Sequence, residues 1–297
     1  MSGPQSSFRA LLPELSAALK TFQSSQSRFQ IVRTVKCPVP SRASPKTLLI
    51  LDSSFNPPSK AHLTLANSAL SQSVLKKYEA PYRFLLLFST HNADKAPSAA
   101  SFDQRLALMT IFAEDLINHL QSSEGHESTD VDIGLTNAPY YTDKSAAISS
   151  EGKDAYPSSP RHIHIMGFDT ITRFLAPKYY QDFDPPLSAL NPYFDAGHEL
   201  RVTLRPSDEY GSVQDQKEFI GKLGRGELEA EGGKPEWAKQ ITTVEAGDGV
   251  GVSSTRVRKA AKAQRWDEVD ELCTPGIAAA VKEESIYEGD DRGAKMA

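Results

Sequence analysis

The chain holds 297 residues, 39% of them hydrophobic and 24% charged, with a formal net charge of −5. That balance supports a sizeable buried core and argues against a general nucleic-acid binder, and the two cysteines, Cys37 and Cys273, give neither a disulfide framework nor a metal-ligand spacing. With no basic-then-apolar leader and no apolar run near the ~18 residues of a membrane span, no membrane partner is expected and the expected setting is the cytoplasm or nucleus.

Residues 1–46 read as an N-terminal helical appendage. Leu11, Leu15, Leu19 and Phe22 recur at helical spacing, FQIVRTV follows, and the Pro- and Ser-rich KCPVPSRASPK closes the segment. It is expected to pack on the core rather than carry chemistry. A second unit is expected over 47–288, where strand and helix candidates alternate. TLLILD (47–52) is a strand, a helix starts at Ser59, YRFLLLF (82–88) is a strand, and SFDQRLALMTIFAEDLINHL (101–120) is a helix. VDIGLT (131–136) and HIHIMG (162–167) are strands, DTITRFL is a short helix, and ELRVTLR (199–205) is a strand. A helix within 212–223, the strand ITTVE (241–245) and helices after Ser253 complete the series. Such alternation predicts an α/β fold, a parallel sheet covered by helices on both faces, with ligands at the carboxyl ends of the strands. The polar stretches 121–130, 149–160 and 224–237 are expected to be solvated loops, and 289–297 a frayed tail.

The segment DSSFNPPSKAH (52–62) is where an apolar strand runs into two prolines and then a histidine. Pro57 and Pro58 have no N–H for a sheet ladder, so the strand ends by Asn56, and Ser59 is placed to cap the helix that follows. His62 falls in the first turn of that helix, whose open N–H groups suit a phosphate. A second stretch, GVGVSSTRVRKAAKAQRW (249–266), carries five basic residues and no acid, an anomaly in an acidic chain. Ser253 or Ser254 can cap a helix beginning near Thr255, with Arg258 one turn on, and such a cluster can hold a polyphosphate. Judged alone, it is equally a capped surface helix with solvated basic residues.

Together, DSSFNPPSKAH and VSSTRVR resemble the paired SFNPxTxxH-like and ISSTxxR-like signatures of the nucleotidyltransferase superfamily that includes the nicotinamide mononucleotide adenylyltransferases, in a divergent, fungal-looking branch. IMGFDTITRFLAPKYY between them is similar to the family's G-x-D segment, and HNADK (91–95) and FDQRLALM (102–109) to its segment with a nucleotide-contacting Lys and Arg. The resemblance implies a Rossmann-like sheet of the HIGH-signature nucleotidyltransferase type. It further implies transfer of AMP from ATP to nicotinamide or nicotinate mononucleotide, yielding a dinucleotide and pyrophosphate. On this alignment His62 and Arg258 are catalytic, His62 donating to a phosphate oxygen. Ser54, Phe55, Ser59, Gly167, Asp169, Ser253, Ser254 and Thr255 join them on ATP. Asn56, Lys95, Arg105, Asp169, Tyr180 and Arg205 serve the acceptor.

Three positions depart from the family pattern: Ser53 replaces a glycine, Ser59 a Thr or His, and Tyr180 a Trp found in many relatives. Magnesium (Mg2+) is expected to ride on the ATP phosphates, since no clustered carboxylates suggest a protein-built cage. The partners implied are ATP and a phosphorylated small molecule, without nucleic acid. A homo-oligomer is compatible with the resemblance but fixed by no residue. Rival readings are a sibling transferase with another phosphorylated acceptor, and a degenerate ATP-binding or weakly ATPase module. No P-loop signature occurs, His162 and His164 are expected to be structural, and Trp237 and Trp266 are assigned to packing.

Overall fold

The computed structural model describes residues 7–38, 43–90, 100–127, 129–206, 209–246 and 251–288. In chain order these form α1 (Phe8–Ser24), β1 (Phe29–Val35), β2 (Thr47–Asp52), α2 (Lys60–Ala69), α3 (Gln72–Leu75), β3 (Tyr82–Ser89), α4 (Phe102–Ser122), β4 (Val131–Thr136), α5 (Tyr141–Glu151) and β5 (Arg161–Gly167). There follow α6 (Phe168–Phe174), α7 (Asn191–Asp195), β6 (Glu199–Leu204), α8 (Val213–Gly224), β7 (Ile241–Glu245), α9 (Ser254–Lys262), α10 (Trp266–Leu272) and α11 (Pro275–Glu283). The sheet has seven strands in the order β1-β4-β3-β2-β5-β6-β7, parallel except for β1, which pairs antiparallel with β4. Among the described residues no helix is long and apolar enough to cross a membrane.

From β2 the chain winds through β3 and β4 in one direction, then restarts at β5 and winds through β6 and β7 in the other. The connections therefore leave the sheet on opposite sides of the β2–β5 pair, and a crevice opens at the carboxyl ends of these two strands. β2 is buried on both faces, as a central parallel strand must be. Leu49 and Leu51 pack with α1, α2, α4 and the C-terminal helices, and Leu48 and Ile50 with Ala147 and Ile148 of α5. This is the period-two alternation of a strand between two helical layers.

The segment before residue 47, expected as an appendage, supplies an edge strand to this sheet and a helix to its core. Leu11, Leu15, Leu19 and Phe22 of α1 are buried in the main cluster. The described residues of the three polar stretches expected to be solvated loops are largely exposed, and each stretch is anchored by a buried side chain. In the first, Asp130 is buried and accepts from Arg83 at 2.7 Å. In the second, Tyr156 is buried and its hydroxyl donates to Asp132 at 2.8 Å. In the third, Trp237 is buried, with its ring stacked on Phe194 at 4.6 Å. Tertiary partners, absent from any local reading, hold each of them down. The frayed tail expected at 289–297 lies outside the described residues.

His162, His164 and His198 form a buried cluster, His162 and His198 stacked with centroids 4.1 Å apart. Tyr193 donates its hydroxyl hydrogen to the Glu199 carbonyl, so His164 Nδ1 must carry the hydrogen it gives to that hydroxyl at 2.8 Å. Burial, and then the neighbouring rings, push His162 and His164 well below the usual histidine range; burial takes His198 to about 4. The unfolded chain protonates its histidines near pH ~6.5 while the native chain resists, so stability is complete above that value and falls as the pH drops toward 4. Burial raises Asp115, Asp132 and Asp143, which act in the opposite sense, but their effect starts from the ordinary carboxylate value of about 3.9, below the range in which the unfolded histidines take up protons. Thermal melts at pH 7.5, 6 and 5 are expected to show a progressive fall in Tm; a flat profile would contradict neutral burial of these rings.

Candidate active site

Two cavities open at the carboxyl edge of the sheet, one of 680 Å³ and one of 260 Å³. They share Asp52, Ser53, Asp169 and Thr170 in their walls, so the ends of β2 and β5 form a seam between them. The sequence order of these elements explains the placement. β2 ends at Asp52, the chain turns through Ser53–Ser59, and α2 begins with Ser59 and His62 closing each other's polar groups in a capping box.

The smaller cavity sets hydroxyls and donors, Ser53, Ser59, His62, Ser253, Ser254 and Arg205, against an apolar wall that includes Leu51, Leu65, Ile165, Met166 and Val252. His62 is partly buried, with Phe55 5.2 Å and Phe112 6.4 Å from its ring centre. The Ser59 backbone N–H donates to His62 Nδ1 at 3.1 Å, and Nε2 lies 3.0 Å from Ser53 Oγ. Because Nδ1 accepts, the hydrogen of the neutral ring sits on Nε2. Burial lowers the His62 pKa to about 4, so the ring is neutral at physiological pH.

The larger cavity has aromatic walls and a polar floor. Tyr140 and Tyr180 lie 5.6 Å apart at its rim, Tyr180 buried with its hydroxyl bonded to the Phe174 carbonyl, and Tyr140 41% exposed and accessible. On the floor, Lys144 of α5 makes an ion pair with Asp52, and both side chains are only 8% exposed. The Lys144 ammonium also lies 5.1 Å from the centre of the Tyr141 ring. Arg105 of α4 lines the same cavity, buried between Phe88 and Phe102, with its Nε donating to the Ala100 carbonyl. Its burial lowers its pKa from the ordinary arginine value.

The start of α9 docks directly on the Pro-Pro turn. Ser254 Oγ donates to the Pro57 carbonyl at 2.7 Å, and Arg258 Nη1 to the Asn56 carbonyl at 2.7 Å. The two stretches singled out in the sequence are thus brought together across 202 residues. Individual placements differ from expectation. Arg258 braces the turn and, with Thr255, Phe55 and Asn56, lies outside the described lining of both cavities. Thr255 offers its hydroxyl to Arg258 Nη2 at 3.2 Å. Phe55 is fully buried beneath His62 with φ 45°, and the Asn56 side chain accepts from Tyr287 at 3.0 Å.

Ser54, Arg105 and Tyr180 line the larger cavity; Ser59, Gly167, Ser253 and Ser254 line the smaller; Asp169 faces both. Arg205, expected on the acceptor side, lines the smaller cavity because β6 lies on the far side of β5 from β2. A Cβ at Gly167 would lie 2.6 Å from Asp169 Oδ1, so a larger residue there would displace that carboxylate from its place in the seam. Lys95 lies outside the described residues. Sequence reasoning missed Tyr140, Lys144 and Asp52 as site residues; Tyr140 precedes and Lys144 lies within α5, a helix with little apolar periodicity.

An α/β sheet with two adjoining cavities at its switch point, one carrying hydroxyls and the other aromatic rings, is an architecture in which two ligands can meet. No family model matches the chain. A Schizosaccharomyces pombe protein named "Putative nicotinamide mononucleotide adenylyltransferase" is 31% identical over 220 residues, covering 73% of this chain and 76% of that protein. The chain belongs to the nicotinamide mononucleotide adenylyltransferase family. Among solved structures, Plasmodium falciparum nicotinic acid mononucleotide adenylyltransferase complexed with NaAD aligns with 82% of this chain and 98% of its own, at 12% identity and TM-score 0.45. The same enzyme complexed with APC gives 13% identity with the same coverage and TM-score.

Proposed function

We propose that the chain transfers the adenylyl group of ATP to nicotinamide or nicotinate mononucleotide, forming the dinucleotide and releasing pyrophosphate. The observation that carries this reading is the seam: two cavities of different chemistry meet at Asp52–Ser53 and Asp169–Thr170, where two substrates would have to react. The smaller, hydroxyl-rich cavity at the start of α2 takes the ATP phosphates. The larger takes the mononucleotide, its pyridine against the tyrosines and its phosphate toward the seam.

The acceptor phosphate is largely dianionic near neutral pH, its second pKa being about 6, so it attacks the α-phosphorus without a protein base. The protein's work is to align the two groups and to stabilise the charge that develops. Arg105 and Lys144 supply positive charge on the acceptor side, and the α2 and α9 N-termini with their serines supply donors on the other. Among the described residues no cluster of three or more His, Cys, Asp or Glu side chains is placed to hold a metal. The oxygen donors of Asp169 and the seam hydroxyls nevertheless suit a magnesium arriving on ATP, where it would neutralise the phosphates.

Tyr140 tests the placement of the pyridine, because it is the accessible ring and Tyr180 is committed to packing. A stacked ring contributes about 0.5–1.5 kcal/mol beyond burial, so Tyr140→Ala is expected to raise the acceptor KM roughly threefold to tenfold and leave the ATP KM unchanged. Initial rates with each substrate varied in turn decide it. Equal KM changes for both substrates, or none for the acceptor, would contradict the placement.

A further inference from the structure

Ser53 stands where the family pattern has glycine, and its hydroxyl occupies the hydrogen-bonding position to which the imidazole points. The chain of bonds has a defined direction. Ser59 N–H donates to His62 Nδ1 at 3.1 Å, the Ser59 hydroxyl lies 3.1 Å from the same nitrogen, and Nε2–H must then donate to Ser53 Oγ at 3.0 Å. Having accepted from the ring, Ser53 Oγ directs its own hydrogen elsewhere. Ser53 lines both cavities, whereas His62 lines only the smaller one. The backbone on either side is fixed: Ser53 N–H donates to the Leu87 carbonyl at 3.3 Å, and Asp52 is held by Lys144.

We propose that Ser53 is the catalytic donor to the transferring phosphate and that His62 is a positioning residue, acting through the Ser53 hydroxyl. This rests on the adenylyl-transfer reading given above. In the reaction an acceptor phosphate oxygen forms a bond to the α-phosphorus as the bond to the bridging oxygen breaks, and pyrophosphate leaves with that electron pair. Ser53 donates a hydrogen bond to an α-phosphate oxygen whose negative charge grows in the transition state; no proton changes owner.

A serine beside a histidine also suggests a nucleophile and its base, and the geometry excludes that pairing. A base needs a bare Nε2, yet the Ser59 N–H requires the lone pair at Nδ1 and leaves the hydrogen on Nε2. A ring whose pKa is lowered to about 4 is moreover a poor proton acceptor.

The test uses the full chain with Ser53→Ala, Ser53→Gly, His62→Ala, His62→Gln and the double variant Ser53→Ala/His62→Ala, each checked by thermal melting. Turnover with ATP and mononucleotide is measured, and ATP affinity is measured separately by titration calorimetry. A relay predicts that Ser53→Ala and His62→Ala each lose roughly 100-fold or more in turnover. The double variant is then expected within about threefold of the worse single variant, and His62→Gln, which keeps an N–H donor near Nε2, recovers part of the loss. Ser53→Gly or Ser53→Ala at the parent's rate, or losses that multiply in the double variant, would overturn the proposal in favour of direct contact by His62. If the parent makes no dinucleotide from either mononucleotide, the adenylyl-transfer reading fails instead. The relay, which rests on that reading, is then overturned with it, an outcome distinct from an active parent whose Ser53 variants keep its rate. In an active parent the ATP affinity of each variant is expected to stay close to the parent's, since the donor acts on charge that develops only in the transition state.

Discussion

His62→Ala is expected to lower turnover by about two to three powers of ten while the chain stays folded. The imidazole directs a donor to charge that develops only in the transition state, and removal of one such donor costs about that much. The loss belongs in kcat more than in either KM, because the ground-state phosphates keep the serines and helix N-termini around them. The ring also caps the Ser59 N–H, so a small loss of stability accompanies the change, about 1 kcal/mol. Since the ring is already neutral well above pH 4, the parent's rate is expected to show no histidine step between pH 6 and 8. Steady-state kinetics across that range, beside a thermal melt, separate this account from a folding defect.

Lys144→Met is expected to be the most destabilising substitution in the site. It leaves the Asp52 carboxylate without its cation at a place where both side chains are only 8% exposed, and breaking a buried pair from one side costs about 3–5 kcal/mol. Against a total stability of about 5–15 kcal/mol, that brings the chain toward unfolding at ordinary temperature. Asp52→Asn combined with Lys144→Met removes both charges and should regain most of the loss, since neither is then left uncompensated. Urea denaturation of the single and double variants reads the difference. A single variant as stable as the parent would show that water reaches Asp52 and that the pair does not hold the seam together.

Much of the scaffold was legible in the sequence. Leu48–Leu51 followed by Pro57 and Pro58 has one reading, a buried strand forced into a turn, and Ser59 and Ser253 cap the helices where cap chemistry places them. The docking of VSSTR on the Pro-Pro turn was legible only through resemblance, because nothing in the intervening sequence encodes it locally and Ser254 and Pro57 are 197 positions apart. The hydrogen bond from Arg258 to the Asn56 carbonyl was not legible, because a guanidinium in a basic segment has no local signal for a carbonyl on a distant turn.

Lys144 illustrates the remaining limit. Its helix buries Lys144 and Ser145 beside Ala147 and Ile148, so the segment shows little amphipathic period, and the partner that gives the lysine meaning lies 92 residues away. Ser53 was visible as a departure from the family pattern, but its effect depends on where the His62 hydrogen points. Which side of the seam Arg205 occupies follows from strand order, a property of the whole sheet.

Product analysis distinguishes adenylyl transfer from ATP binding or hydrolysis alone. The purified chain is incubated with magnesium and ATP, together with nicotinamide mononucleotide in one reaction and nicotinate mononucleotide in another, and the products are separated and identified by mass. The corresponding dinucleotide and pyrophosphate are expected in equal amounts from at least one of the two acceptors. ATP consumed without any dinucleotide, or bound and left intact beside both mononucleotides, would contradict it.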